Sequence, residues 1–102
     1  GWSMRSFEVP GTTPSAFVEE MRSALAAKQY DRYVGLDLDG DSLVVELRWM
    51  GTTTFTFRIR PTGDGFRADF VDQRVAPLHN AFSDRFEAYF EKALARVGAK
   101  TI

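Results

Sequence analysis

Cysteine is absent from the 102 residues, and histidine occurs once, at position 79. Without cysteine there is no disulfide framework, no thiolate-ligated zinc and no thiol nucleophile. A lone histidine argues against a histidine-centred catalytic triad. Net charge is equally scarce. Thirteen basic residues against 14 acidic ones leave a formal charge of -1, so no whole-molecule field draws the chain to nucleic acid or to a membrane. No apolar run approaches the length of a signal-peptide core or a membrane span, and a soluble, cytoplasmic protein without a membrane partner is the expectation. Repeats and low-complexity tracts are also missing.

Aromatic residues are plentiful: nine Phe and two Trp supply the bulk for a real core in a chain of this size. Gly1-Trp2-Ser3 is expected to be an expression remnant before a start at Met4. Residues 4–102 then form a single domain.

Periodicity lays out the elements. Phe7 and Val9 alternate against Glu8 in a short strand that Pro10-Gly11 ends. Thr13-Pro14 is a helix cap with proline at the first helical position. Phe17, Met21 and Leu25 then trace one face of a helix from Pro14 to about Gln29. From Tyr33 the period changes to two. Val34, Leu36 and Leu38 oppose Tyr33, Asp37 and Asp39; Leu43, Val45, Leu47 and Trp49 oppose Val44, Glu46, Arg48 and Met50. Phe55, Phe57 and Ile59 follow against Thr54, Thr56, Arg58 and Arg60, then Phe66, Ala68 and Phe70 against Arg67, Asp69 and Val71. Asp39-Gly40-Asp41, Gly51 and the Pro61–Gly65 segment make the turns. Phe82, Phe86, Phe90, Ala93, Leu94 and Val97 mark a second helix ending at Gly98, with Pro77 or Ser83 as its start. The expected fold is α+β: a four- to five-stranded, mostly antiparallel sheet with two helices packed on one face, in the order β-α-β-β-β-β-α.

The face left to solvent carries segregated charge. Asp37, Asp39, Asp41 and Glu46 make the first hairpin acidic, and Arg58, Arg60 and Arg67 make the next two strands basic. One reading is a set of cross-strand ion pairs on a solvated face. The other is a binding surface, with Tyr33, Arg48, Arg58, Arg60 and Arg67 as candidate contacts for a protein partner, for a second copy in a homodimer, or for RNA.

Motifs for chemistry are few. Asp37-Leu38-Asp39-Gly40-Asp41-Ser42 begins like a calcium loop but places Ser42 where glycine belongs and Arg48 where the closing glutamate belongs. It reads as a hairpin turn. His79 beside Asn80 reads as a capping or surface group, and Glu87 with Glu91 as helix-surface charge near Arg85 and Lys92. Trp49 belongs to the apolar set and is expected in the core, lining a small cavity with Phe55, Phe57 and Phe66, a place for a small hydrophobic ligand. No metal site, cofactor or catalytic residue is expected.

Several segments resemble the first strand, helix and sheet of the ribosome-inactivating proteins, the rRNA N-glycosidases. These are Phe7-x-x-x-Gly11-Thr12, Phe17-Val18, Met21-Arg22-x-Ala24-Leu25, Asp31-Arg32-Tyr33, Val45-x-Leu47-x-Trp49, Phe55-x-Phe57-x-Ile59-Arg60 and Ser83-Asp84-Arg85-Phe86-Glu87, within about residues 6–90. The family's adenine-stacking tyrosine falls at Phe55, and its catalytic Glu/Arg helix has no counterpart in these residues. The resemblance therefore implies a fold relative, or an N-terminal piece, without glycosidase activity that contacts RNA through Arg58, Arg60 and Arg67. The same element order also occurs in half of a TATA-box-binding-protein repeat. Fold of this kind does not give function.

Overall fold

A computed structural model describes residues 1–102. Strand β1 (Phe7–Pro10) leads into helix α1 (Pro14–Ala27). Four strands follow: β2 (Val34–Asp39), β3 (Ser42–Arg48), β4 (Thr52–Pro61) and β5 (Gly65–Arg74). A 3-10 turn (Pro77–Phe82) runs directly into helix α2 (Ser83–Arg96), and a two-residue strand β6 (Lys100–Thr101) closes the chain. The sheet is antiparallel throughout, in the order β2-β3-β4-β5-β1-β6. It therefore has six strands where four to five were expected. The addition is β6, which pairs Thr101 with Phe7. Two residues are too few to show a period, and only the return of the chain after α2 brings them beside β1.

Both helices cover one face, as the alternation requires. Phe7, Val9, Leu36, Leu43, Val45, Phe55, Phe57, Phe66 and Ala68 from the sheet meet Phe17, Met21, Leu25, Phe86, Phe90 and Leu94 from the helices, all buried. At α1 the Thr13 hydroxyl accepts from the Ala16 amide at 3.2 Å, so the Thr-Pro start works as a cap. Both helices end in the same device, in which a residue of positive φ lets the next amide reach back five residues. In α2 that residue is Gly98 (φ 83), with Ala99 N–H donating to Leu94 O at 2.9 Å. In α1 it is Gln29 (φ 61), with Tyr30 N–H donating to Leu25 O at 2.9 Å. Glutamine accepts that conformation at a cost of about 1 kcal/mol relative to glycine.

Strand β1 sits so close to β5 that a Cβ on Gly65 would lie 2.0 Å from the Val9 carbonyl oxygen. Trp2 and Ser3 pack against the rest of the domain. The Trp2 ring lies 5.3 Å from Phe55 and 5.9 Å from Phe86, and the Ser3 amide donates to Glu87 Oε2 at 2.7 Å. No helix is long and apolar enough to cross a membrane.

Candidate functional site

On the polar face of the sheet, each of the four arginines singled out in the sequence has a carboxylate beside it. Arg48 lies 3.5 Å from Glu46, Arg58 4.0 Å from Asp41, Arg60 3.0 Å from Asp69, and Arg67 2.6 Å from Asp69 and 3.7 Å from Glu8. Register explains the tightest of these. Arg60 and Arg67 are directly opposed on β4 and β5, a like-charge pair that repels, and the Asp69 carboxylate accepts a hydrogen bond from the Nε–H of each. The Arg67 hydrogen bond is the largest influence on the Asp69 carboxyl; desolvation opposes it, and the Arg60 hydrogen bond and both positive charges add to it, so the group is held below the ordinary carboxylate range. The segregation seen along the chain thus becomes interleaving across it.

The open edge of the sheet is also occupied. Strand β2 is the outermost strand on its side. From α1, Arg22 donates to the Leu36 carbonyl through Nε at 3.1 Å and Nη2 at 2.7 Å, and Nη2 reaches Asp37 at 2.8 Å. A guanidinium on that carbonyl takes the place of an incoming strand.

Tyr33 is not on the polar face. It lies one residue before β2, in a turn where its amide donates to Tyr30 O at 2.9 Å, so the alternation of β2 does not extend back to it. Its side chain instead joins the opposite side of the molecule. There, between the ends of β2 and β3 and the first turns of α2, an open groove of ≈ 610 Å³ is lined almost wholly by aromatic and aliphatic groups. That volume is in the range of small-molecule sites.

Each wall has a local cause. The turn at Gln29, just beyond the end of α1, throws Tyr30 across to Tyr89, with ring centres 5.0 Å apart and edge to face. Val34 and Leu47, paired across β2 and β3, form part of the sheet-side wall. Phe82, at the end of the 3-10 turn, and Phe86 and Tyr89 of α2 recur at four- and three-residue spacing, which turns them to one side. Burial and then the neighbouring Tyr30 push the Tyr89 phenol up from its ordinary value.

Trp49 forms the end wall and corrects the expectation of a core tryptophan beside Phe55, Phe57 and Phe66. It shares the facing of Leu47, as the alternation implies, but the hairpin runs past the helices that would cover it. It is 44% exposed and meets Phe82 edge to face at 5.3 Å. The turn that follows is strained and apolar: Met50 has φ 48 and is 70% exposed. A left-handed non-glycine residue of this kind costs about 1 to 2 kcal/mol.

The anchor of that turn is His79, which is wholly buried rather than a surface cap. Its Nε2–H donates to the Trp49 carbonyl at 2.6 Å. Its Nδ1 then accepts from the Thr53 hydroxyl at 2.6 Å, and the same hydroxyl accepts from the Ala76 amide at 3.0 Å. A carbonyl only accepts, so this chain assigns the tautomer. No sequence signal marks these partners, because Thr53 and Trp49 lie 26 and 30 residues from His79.

One charged side chain, Arg85, stands among the groove residues, and no carboxylate does. Arg85 takes part in none of the eight ion pairs of the molecule. No three His, Asp or Glu side chains converge on a point that would hold a metal ion. No protein-family model, curated protein or solved structure matches this chain.

Proposed function

We propose that the protein is a non-enzymatic binding domain whose site is the aromatic groove, and that it takes a small ligand with an apolar, ring-bearing body. The observation that carries this reading is the groove itself: ≈ 610 Å³ walled by Trp49, Phe82, Tyr30 and Tyr89 and open to solvent. Exposing that much aromatic surface is unfavourable in a free monomer unless something is bound against it. The buried Thr53–His79–Trp49 chain supports the same reading, because it spends a satisfied polar network on holding one wall in place.

The polar sheet face is the weaker site for a protein partner, a second copy or RNA. Arg58, Arg60 and Arg67 are engaged by Asp41, Asp69 and Glu8, so a partner has to displace those carboxylates. Tyr33, the one aromatic assigned to that face for stacking a base, belongs to the groove.

The test uses a neutral apolar fluorophore, N-phenyl-1-naphthylamine. Its emission is expected to rise on adding the protein, and to rise much less with Trp49→Ala or Phe82→Glu. Arg58→Glu with Arg60→Glu is expected to leave it unchanged. Absence of any enhancement, or loss of it only in the arginine variant, overturns the groove as the site.

A further inference from the structure

Resting on the groove as a ligand site, we infer that its ligand is an organic anion: a ring or short acyl body lying against Trp49 and Phe82, with a carboxylate directed at Arg85.

An aromatic box of this composition has two possible clients. Tryptophan and tyrosine faces attract cations, and a quaternary ammonium is the familiar occupant of such a box. The charges around this one point the other way. Among the residues lining the groove, Arg85 is the single charged group and no Asp or Glu is present to favour a cation. A second guanidinium stands nearby, with Arg32 Cζ 5.8 Å from the centre of the Tyr33 ring, and Tyr33 is itself a lining residue. Arg32 thus already occupies that ring with a cation.

Arg85 is available in a way that the sheet arginines are not. Arg48, Arg58, Arg60 and Arg67 all have carboxylates within 4.0 Å. Arg85 has none, and Asp84 beside it in sequence enters no ion pair either. Its position on α2 is one residue before Phe86 and four before Tyr89, so the guanidinium stands at the aromatic wall rather than on the far side of the helix. A planar guanidinium offers paired N–H donors that match a carboxylate, and an apolar surround strengthens the contact. The groove therefore joins an apolar floor to one unpaired cation, which is the complement of an aromatic or acyl carboxylate.

A matched series of probes separates the ligand's charge from its ring. The probes are 2-naphthoate, 2-naphthylmethanol and 2-naphthylmethylammonium, titrated calorimetrically into the full chain. The expected result is that naphthoate binds about tenfold or more tighter than the alcohol, the size of one charge-assisted hydrogen-bonded pair. Arg85→Gln should bring naphthoate down to the alcohol's affinity and leave the alcohol unchanged, and Arg85→Lys should restore part of the difference. Circular dichroism checks that each variant is folded; Arg85 is exposed, so both should be. Equal affinity for naphthoate and the alcohol, or a naphthoate preference that survives Arg85→Gln, overturns the anion while leaving the groove as a site. Tightest binding of the ammonium overturns it in favour of a cation box. Binding of none of the three removes the groove reading and this one together.

Discussion

His79 Nε2 stands 2.6 Å from the carbonyl oxygen of Trp49, 30 residues earlier in the chain, and this contact holds the strained turn that walls the groove. Replacing His79 by Leu removes the partner of the Trp49 carbonyl and one partner of the buried Thr53 hydroxyl. Each buried unpaired group costs about 1 to 3 kcal/mol, so a total loss of about 2 to 4 kcal/mol is expected in urea unfolding. Thr53→Val should lose about 1 to 3 kcal/mol, since the Ala76 amide also loses its acceptor. Probe binding should weaken in both, because Trp49 is no longer fixed. Stability within about 0.5 kcal/mol of the parent would remove the anchoring role.

Gly65 is held by proximity rather than by a special backbone angle. An alanine Cβ there meets the Val9 carbonyl oxygen at 2.0 Å and Pro10 Cα at 2.9 Å, and neither is a side chain that can rotate away. Gly65→Ala is expected to push β1 from β5 and to destabilise by about 2 kcal/mol or more. Gly63→Ala, with nothing within 4 Å, is the control that should change little. A thermal melt distinguishes them, and equal melting temperatures would contradict the close approach.

Arg22 closes the edge of the sheet at Leu36. Arg22→Met keeps an unbranched apolar stem but frees the carbonyl and leaves Asp37 without its partner. Concentration-dependent self-association is the expected outcome, seen as a rising weight-average mass in sedimentation, because an uncovered edge strand pairs with another. A variant that stays monomeric at millimolar concentration would show that the edge is blocked by something else.

Asp69 carries the clearest acid dependence. Its folded-state pKa is depressed, chiefly by the Arg67 hydrogen bond, so its contribution is present above the unfolded value of about 4. That contribution is lost as the pH falls through the lower, folded value. Asp69→Asn should therefore flatten the acid end of the stability curve. It should also destabilise near pH 7, where Arg60 and Arg67 would face each other unscreened. Parallel acid limbs for the two proteins would sink this assignment.

The alkaline counterpart is Tyr89. Its pKa is raised in the folded state, so its contribution is complete below the unfolded value of about 10 and is lost as the pH rises through the folded one. Tyr89→Phe should lose less stability than the parent between pH 9 and 12, followed by circular dichroism; an identical decline would place the titration elsewhere.

Much of this was legible along the chain. Alternation correctly turned Leu43, Val45, Phe55, Phe57 and Phe66 inward, since a pleated strand offers only two directions. Thr13-Pro14 and Gly98 marked real helix ends, because caps are local hydrogen-bond problems. Pro77 and Ser83, the two starts the sequence offers for the second helix, begin the 3-10 turn and α2 respectively. The groove was not legible. Periodicity says which way Trp49 points but not whether anything lies over it, and the burial of His79 depends on a carbonyl 30 residues away.

By itself, then, the sequence determined the α+β class, the facing of the strand residues, the start of the first helix and the end of the second, all of them consequences of short-range sterics and hydrogen bonding. It also determined that cysteine chemistry is absent. The tertiary structure alone decided the sixth strand, the neutralising place of Asp69 between two opposed arginines, and the location of the groove. Those depend on register and on where one element stops covering another. They are relations between distant residues, and no local pattern encodes a distance in space.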